Sequence, residues 1–368
     1  MSKSDHSGAV LTIDLNGIVA NWLLLKSMLA DAECAAVIKA DAYGLGAERV
    51  APALARAGCE TFFVAQVDEG VAVRRVAPAA TIHVLGGPVP GSEETLIDHQ
   101  LVPVLNSLGD IEAWGDLAHV RGAPLPADLH IDTGMARLGL PPDETAILIR
   151  EPERLDGIEV ATVMSHLACA DEADHPLNRQ QLADFLRARH KFSHLKASFA
   201  NSSGIFLGPE YHFDLARPGV SLYGVGPRPG ETNPMAQVVR LQGKILQVRD
   251  VDRPQTVGYG ASHRVARRGR VATVGVGYAD GYLRSLSNSG CGYMGDIRVP
   301  IVGRVSMDLI TLDVSDVADD AARPGAPVDL IGPHNPVDSV AAEAGTIGHE
   351  ILTGLGSRYH RVYLDGAD

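Results

Sequence analysis

Lys39 stands at the end of an apolar run, residues 34–38, and is followed by Asp41, Tyr43, Gly44 and Gly46. A run that is short, apolar and closed by turn residues reads as a buried strand. An ammonium at the tip of such a strand is costly to bury unless it is paired or used. Two readings fit: a stem that snorkels to solvent, or an amine that forms a Schiff base with an aldehyde cofactor. Other residues able to do chemistry follow at wide intervals. They are Arg137, His166, Asn201 and Ser202, Arg217 before Pro218 and Gly219, Tyr259 between two glycines, Tyr278, and the pair Met307 and Asp308. The group His166, Cys169, Asp171, Asp174 and His175 has the residue types of a metal site. Its spacing matches no standard zinc or iron pattern, so no metal is expected.

Residues so far apart in sequence need a frame that gathers them. Strands are predicted at 35–40, 61–66, 81–85, 101–105, 127–131, 158–165, 195–200 and 213–216. Helical patterns are predicted between them at 14–30, 47–57, 68–76, 92–100, 107–119, 143–150 and 176–191. About eight β/α units is the number that closes a parallel barrel, so a TIM-like (β/α)8 barrel is expected. Polar, turn-rich segments fall directly after the strands, at 41–46, 86–88, 132–139, 166–174, 201–204 and 217–219. In such a barrel these loops share the C-terminal rim, where chemistry is placed. Glycines and prolines at 224–229 stop regular structure. Beyond them short Val/Ile-rich strands are predicted at 238–251, 270–277, 297–302, 309–314 and 328–331, with one helix at 337–355. The expected division is an α/β barrel over 9–232 and a mostly-β domain over 233–368.

Composition excludes several classes of function. The chain has 368 residues, 45% hydrophobic and 21% charged, enough to bury large cores. A formal net charge of −13 argues against nucleic acid or an anionic membrane surface as partner. The first eight residues show no secretory pattern, and no apolar stretch is long enough to span a bilayer. Cys34, Cys59, Cys169 and Cys291 lack C-x-x-C spacing and fit reduced thiols of a cytoplasmic protein.

The stretch from Ala36 to Gly46, with Lys39 and Tyr43, resembles the cofactor-lysine motif of alanine racemases, enzymes that use pyridoxal 5′-phosphate. The resemblance continues in order along the chain. Ile131 to Gly139 is similar to the family's arginine loop, and Val163 to Asp171 to its histidine strand. Asn201, Ser202 and the stretch Arg217 to Gly224 resemble its phosphate and pyridine-nitrogen segments. Val257 to Gly260, Gly277 to Gly281 and Gly303 to Asp308 resemble its second-domain signatures.

The resemblance implies racemisation of L-alanine to D-alanine for peptidoglycan synthesis by two bases on opposite faces of Cα, Lys39 and Tyr259. Lys39 would also hold the cofactor between turnovers. Free phenol ionises near pH 10, so a tyrosine base needs nearby positive charge. His166 and Arg217 are implied as that chain of charge. Arg217 would face the pyridine nitrogen, where a guanidinium cannot release a proton. Tyr43, Ser202 and the amides of Gly219 and Val220 are implied to hold the phosphate, with Asn201 orienting its neighbours. Arg137 and Met307 would meet the substrate carboxylate, with Tyr278, Arg284 and Asp308 lining the mouth. In the family the second-domain residues reach the cofactor from the other subunit of a head-to-tail homodimer with shared sites.

Four positions depart from the family pattern. His130 stands where many members carry a lysine whose carbamate braces the arginine at 137, so another brace is expected, an anion or a different carboxylate. Ser198 replaces a histidine often found beside Arg217, which shortens the hydrogen-bond chain. Ser357 stands where some members place a phosphate-reaching tyrosine, with Tyr359 and Tyr363 as candidates to replace it. Ser306 stands for a common cysteine. Serine or broad-specificity racemases share these motifs, since a small apolar difference is worth only about 1–3 kcal/mol. A fold-related decarboxylase is opposed by Arg217 and by Ser306 to Asp308, and a single-barrel cofactor carrier by the second domain.

Overall fold

The computed structural model describes residues 6–365. Alternating buried strands and amphipathic helices build a parallel barrel. Its strands are β2 (Glu33–Cys34), β3 (Ala36–Val37), β4 (Thr61–Val64), β5 (Thr81–Val84), β6 (Leu101–Leu105), β7 (Leu125–His130), β8 (Ile158–Met164), β9 (Lys196–Ser198) and β10 (Leu215–Ala216). β2 pairs with β10 and β3 with β4, both in parallel. Glu33–Val37 is thus one stave, broken at Ala35, that closes the barrel. The Ala35 N–H still donates to Ala216 O at 3.0 Å and the Val37 N–H to Pro218 O at 2.9 Å. The strand expected at 35–40 therefore ends earlier, at Val37, and Lys39 lies just past its tip.

The helices start where local chemistry allows it. Asp14 caps helix Leu15–Ser27 by accepting the Gly17 N–H at 3.0 Å, and Ser107 caps helix Leu108–Arg121 by accepting the Asp110 N–H at 3.1 Å. Each such cap is worth about 1 kcal/mol. Buried Trp22 fixes the first of these helices to the barrel by donating to Cys34 O at 3.1 Å.

Strand β1 (Ala9–Asp14) departs from the expected division. It alternates buried and half-buried residues, and it joins the second sheet rather than the barrel. There it runs antiparallel to β11 (Val239–Val251) and parallel to β19 (His360–Leu364), the segment that reads in sequence as a basic, aromatic tail. β11 also pairs with β14 (Gly269–Val274) and β18 (Pro327–Ile331), which makes it the spine of this domain; β15 (Cys291–Met294) and β16 (Ile297–Pro300) extend it from β18, and β17 (Ile310–Asp313) from β14. A two-stranded hairpin of β12 (Gln255–Val257) and β13 (His263–Val265) stands apart from the larger sheet. The single helix expected at 337–355 is two, Val337–Ala344 and Gly348–Gly354, separated where Gly345 takes φ +70°. Among the described residues no helix is long and apolar enough to cross a membrane.

Candidate active site

A cavity of about 700 Å³ opens at the C-terminal ends of the barrel strands. Lys39, Tyr43, Arg137, His166, Asn201, Ser202, Arg217, Gly219 and Val220 line it, so nine residues read from sequence as site candidates come together. Tyr259, Tyr278, Met307 and Asp308 do not line it.

Lys39 is held by an unusual backbone. Ala40, Asp41, Ala42 and Tyr43 all take φ between +53° and +54°, a left-handed turn with no glycine in it. Left-handed helical backbone costs roughly 1–2 kcal/mol per non-glycine residue, so four together require strong support. Two carboxylates supply it. Glu69 accepts the Ala40 N–H at 2.6 Å, and Asp41 accepts the Ala47 N–H at 2.7 Å. Burial and the nearby Arg137 cation lower the Lys39 pKa, while Glu69 opposes them. A larger fraction of neutral amine follows, as a nucleophile or base requires.

One end of the cavity is built from Tyr43, Ser202 and Gly219. Ser202 Oγ accepts the Gly219 N–H at 2.9 Å and the Ser221 N–H at 3.3 Å. A hydroxyl has two acceptor sites, so both are used and its own proton is left to donate. The Gly219 amide thus reaches the site through Ser202. A Cβ at Gly219 would sit 2.3 Å from the Tyr43 hydroxyl, so only glycine fits beside it. Burial raises the Tyr43 pKa, which keeps that hydroxyl a donor. Asn201 accepts the Gly204 N–H at 2.9 Å and shapes the loop from behind.

Arg217 is 5% exposed. Its Nη2 donates to Ser165 O at 2.6 Å and its Nη1 to Ser198 Oγ, which passes its own proton to Leu215 O at 2.6 Å. The chain from Arg217 therefore ends on backbone after one hydroxyl, as Ser198 in place of histidine leads one to expect. Burial brings the Arg217 pKa down to about 10, opposed by the Asp128 carboxylate, and the group remains a cation at neutral pH. His166 is different. Burial first, then Arg217 and Arg137, push its pKa well down, so it is a neutral imidazole. Positive charge here belongs to Arg217 and Arg137, and the side-chain bonds of Arg217 go to Ser165 O and Ser198 Oγ, not to His166.

His130 Nδ1 lies 2.8 Å from Asn106 Oδ1, and burial with Arg217 lowers its pKa to about 4. Among the described residues no carboxylate pairs with Arg137. Its loop is fixed instead by Asp132, which accepts the Gly134 and Met135 N–H groups at 2.9 Å each. Of the two braces expected for Arg137, an anion or another carboxylate, the protein supplies no carboxylate.

The second-domain candidates form an exposed face. Tyr259 is 72% exposed, Met307 53% and Tyr278 43%, so none of them is domain core. Backbone bonds hold the last two together: the Tyr278 N–H donates to Ser306 O at 3.0 Å and the Ala279 N–H to Met307 O at 2.9 Å. Arg358 bridges Asp280 at 3.1 Å and Asp308 at 2.8 Å behind them. The Arg304 guanidinium lies against Gly260, 3.1 Å from where a Cβ would sit, and so flanks the Tyr259 turn. Of the two tyrosines proposed to replace the one missing at Ser357, Tyr359 is buried and Tyr363 donates to Leu45 O at 3.0 Å, so neither is at the cavity.

Sequence reasoning missed two groups. His349, neutral through burial and the nearby Lys39 charge, lines the cavity and lies 5.8 Å from the Tyr43 ring. Its place within a continuous predicted helix gave no sign of this. Glu69 had a signal, since Gln66 and Glu69 have the spacing of a capping box.

Residues 13–227 match the family model for the alanine racemase N-terminal domain, and residues 238–363 match the one for the C-terminal domain. An alanine racemase of Rhodospirillum rubrum is 54% identical over 99% of this chain and 98% of its own length. A catabolic alanine racemase of Mesorhizobium japonicum is 48% identical over 98% and 94%. Among solved structures, an alanine racemase from Bartonella henselae with covalently bound pyridoxal phosphate superposes with a TM-score of 0.94 at 44% identity, covering 97% of this chain and 100% of that one.

Proposed function

The chain belongs to the alanine racemase family, and on that premise we propose how its residues interconvert L- and D-alanine with pyridoxal 5′-phosphate. The residues fit that cofactor at three points. Ser202 and Tyr43 keep protons for a phosphate beside a glycine that leaves it room. Lys39 presents an amine of lowered pKa to an aldehyde. Arg217 spends two of its five N–H groups on protein and keeps the others for the ring nitrogen. When bound, the cofactor supplies an electron sink for the charge left at Cα when its proton departs.

The protein's own residues do the rest. With the cofactor present, Lys39 Nζ would hold it between turnovers and would move the proton on one face of Cα. Tyr259 Oη moves it on the other face. Arg137 and the Met307 amide hold the substrate carboxylate, and Tyr278, Arg284 and Asp308 line the mouth. Arg217 would hold the ring nitrogen as a cation that gives up no proton, which would favour return of the proton to Cα over loss of the amino group. Neutral His166 orients the site without adding charge.

Lys39 and Tyr259 do not share a cavity within one chain, which favours a head-to-tail homodimer in which each β-domain completes the partner's barrel. Charge supports the same arrangement. Residues 1–232 carry 18 Lys and Arg against 30 Asp and Glu, while residues 233–368 carry 14 against 15. The second domain groups Arg264, Arg267, Arg268 and Arg270 close in sequence to Tyr259. Arg264 on the hairpin, with Arg267 and Arg268 just after it, puts cations near an exposed tyrosine, which suits an acidic barrel. The four cysteines are free, in keeping with a reducing cytoplasm, where the product would serve peptidoglycan synthesis.

The observation that carries this reading is the convergence of Lys39, Arg217 and the Ser202–Gly219 cradle on one cavity. The test is D-amino-acid formation from a panel of L-amino acids with added pyridoxal 5′-phosphate. Alanine should be turned over fastest; turnover of only large or basic amino acids would end the alanine assignment.

A further inference from the structure

Helix Val67–Val76 needs one carboxylate oxygen for its N-terminus, and Glu69 gives it Oε2, which accepts the Ala65 N–H at 2.7 Å and the Gln66 N–H at 3.1 Å. Oε1 is not needed for that cap. It reaches 29 residues back in sequence and accepts the Ala40 N–H at 2.6 Å. Ala40 is the first residue of the left-handed turn and directly follows Lys39. The turn's own bonds begin later, with the Ala42 N–H on Ile38 O at 2.8 Å and the Gly44 N–H on Ala40 O at 2.7 Å. The Ala40 amide thus depends on Glu69, as the first amides of any helical turn depend on an outside acceptor.

We propose that Glu69 is a positioning residue for Lys39: one carboxylate ties the left-handed turn beneath the lysine to the rigid start of a barrel helix, and sets its negative charge beside the amine. This rests on Lys39 being the cofactor-bearing base. Arg137, His166 and His349 also face Lys39, and the two histidines are neutral. Glu69 is therefore the carboxylate that balances the Arg137 cation there.

The geometry makes glutamine a sharp probe. Three N–H groups converge on two oxygens, and an amide offers only one. In Glu69→Gln either the Ala40 N–H or the helix cap must face an NH2 group. The loaded Glu69→Gln enzyme should show kcat reduced at least tenfold with KM within threefold. The pH at which the visible band of Lys39-bound cofactor changes should also move down, because a negative charge beside the nitrogen is gone. Glu69→Asp keeps the charge but withdraws it by one methylene, so kcat should fall with a smaller movement of that midpoint. An unchanged kcat and midpoint in Glu69→Gln overturns the proposal. So does loss of kcat only together with loss of far-UV circular dichroism in both variants, which marks a structural cap. If wild-type enzyme never acquires the band, the reading of Lys39 itself is at fault.

Discussion

The mouth of the barrel and the exposed face of the β-domain do opposite jobs with similar residue types. At the barrel, Arg217 and Tyr43 are buried, and Arg217 is fixed by hydrogen bonds to Ser198 Oγ and Ser165 O at the strand ends. On the β-domain, Tyr259, Tyr278 and Met307 stand in solvent, and Arg358 and Asp308 pair at the surface. On the proposed reading, the first region holds the cofactor and lacks the second base, and the second region offers that base and lacks a pocket. Damage to the first should therefore remove the cofactor, and damage to the second should remove turnover alone.

The largest effect expected is in Lys39→Ala, which should lose the visible absorbance of bound cofactor and fall in turnover by roughly 10⁴-fold or more. Tyr259→Phe should keep that absorbance and lose about 10²–10⁴-fold in turnover, the usual worth of a positioned acid–base group. Loss of colour in Tyr259→Phe would blur the division between the two regions. Arg217→Met leaves Ser198 and Ser165 O without their donor and Asp128 without its nearby cation. Thermal or urea unfolding should show a loss of about 3 kcal/mol.

The histidines of the barrel sharpen the contrast through pH. His130 has a pKa of about 4 in the fold, below the ordinary 6.5 of histidine. Between those values the unfolded chain binds a proton that the folded one refuses. Its stabilising contribution is therefore present above about pH 6.5 and is lost as pH falls toward 4. The measurement is unfolding free energy against pH, which should flatten over that window in His130→Asn. The smallest effect is on the β-domain face. Arg358→Ala breaks bridges to Asp280 and Asp308, and because Arg358 and Asp308 are exposed it should leave the unfolding midpoint nearly unchanged. A larger change in KM than in stability would place this pair at the mouth of a shared site.

The barrel was legible because its strands are short apolar runs, most of them followed by polar turn residues, and several of its helices carry their own caps. Lys39, Arg217 and Ser202 sit directly after such runs, so their gathering on one rim followed from the alternation. The left-handed turn at Ala40–Tyr43 was not legible: without a glycine in it, no local preference announces that backbone, and its support comes from Glu69, far along the chain. Strand β1 was missed for a related reason. Its partners lie more than two hundred residues away, and pairing over such distances leaves no local mark. His349 was hidden by helical periodicity, and the break at Gly345 puts it at the start of a second short helix that lines the cavity.

Mixing the two disabled chains puts the central claim at greatest risk. Lys39→Ala and Tyr259→Phe proteins, each nearly inactive, would be denatured together, refolded with pyridoxal 5′-phosphate, and assayed for D-alanine. If each site joins Lys39 of one chain to Tyr259 of its partner, hybrid dimers hold one intact site, and random pairing should restore about a quarter of wild-type activity. A mixture no more active than its two components would mean that both groups must come from the same chain, and the account would be wrong.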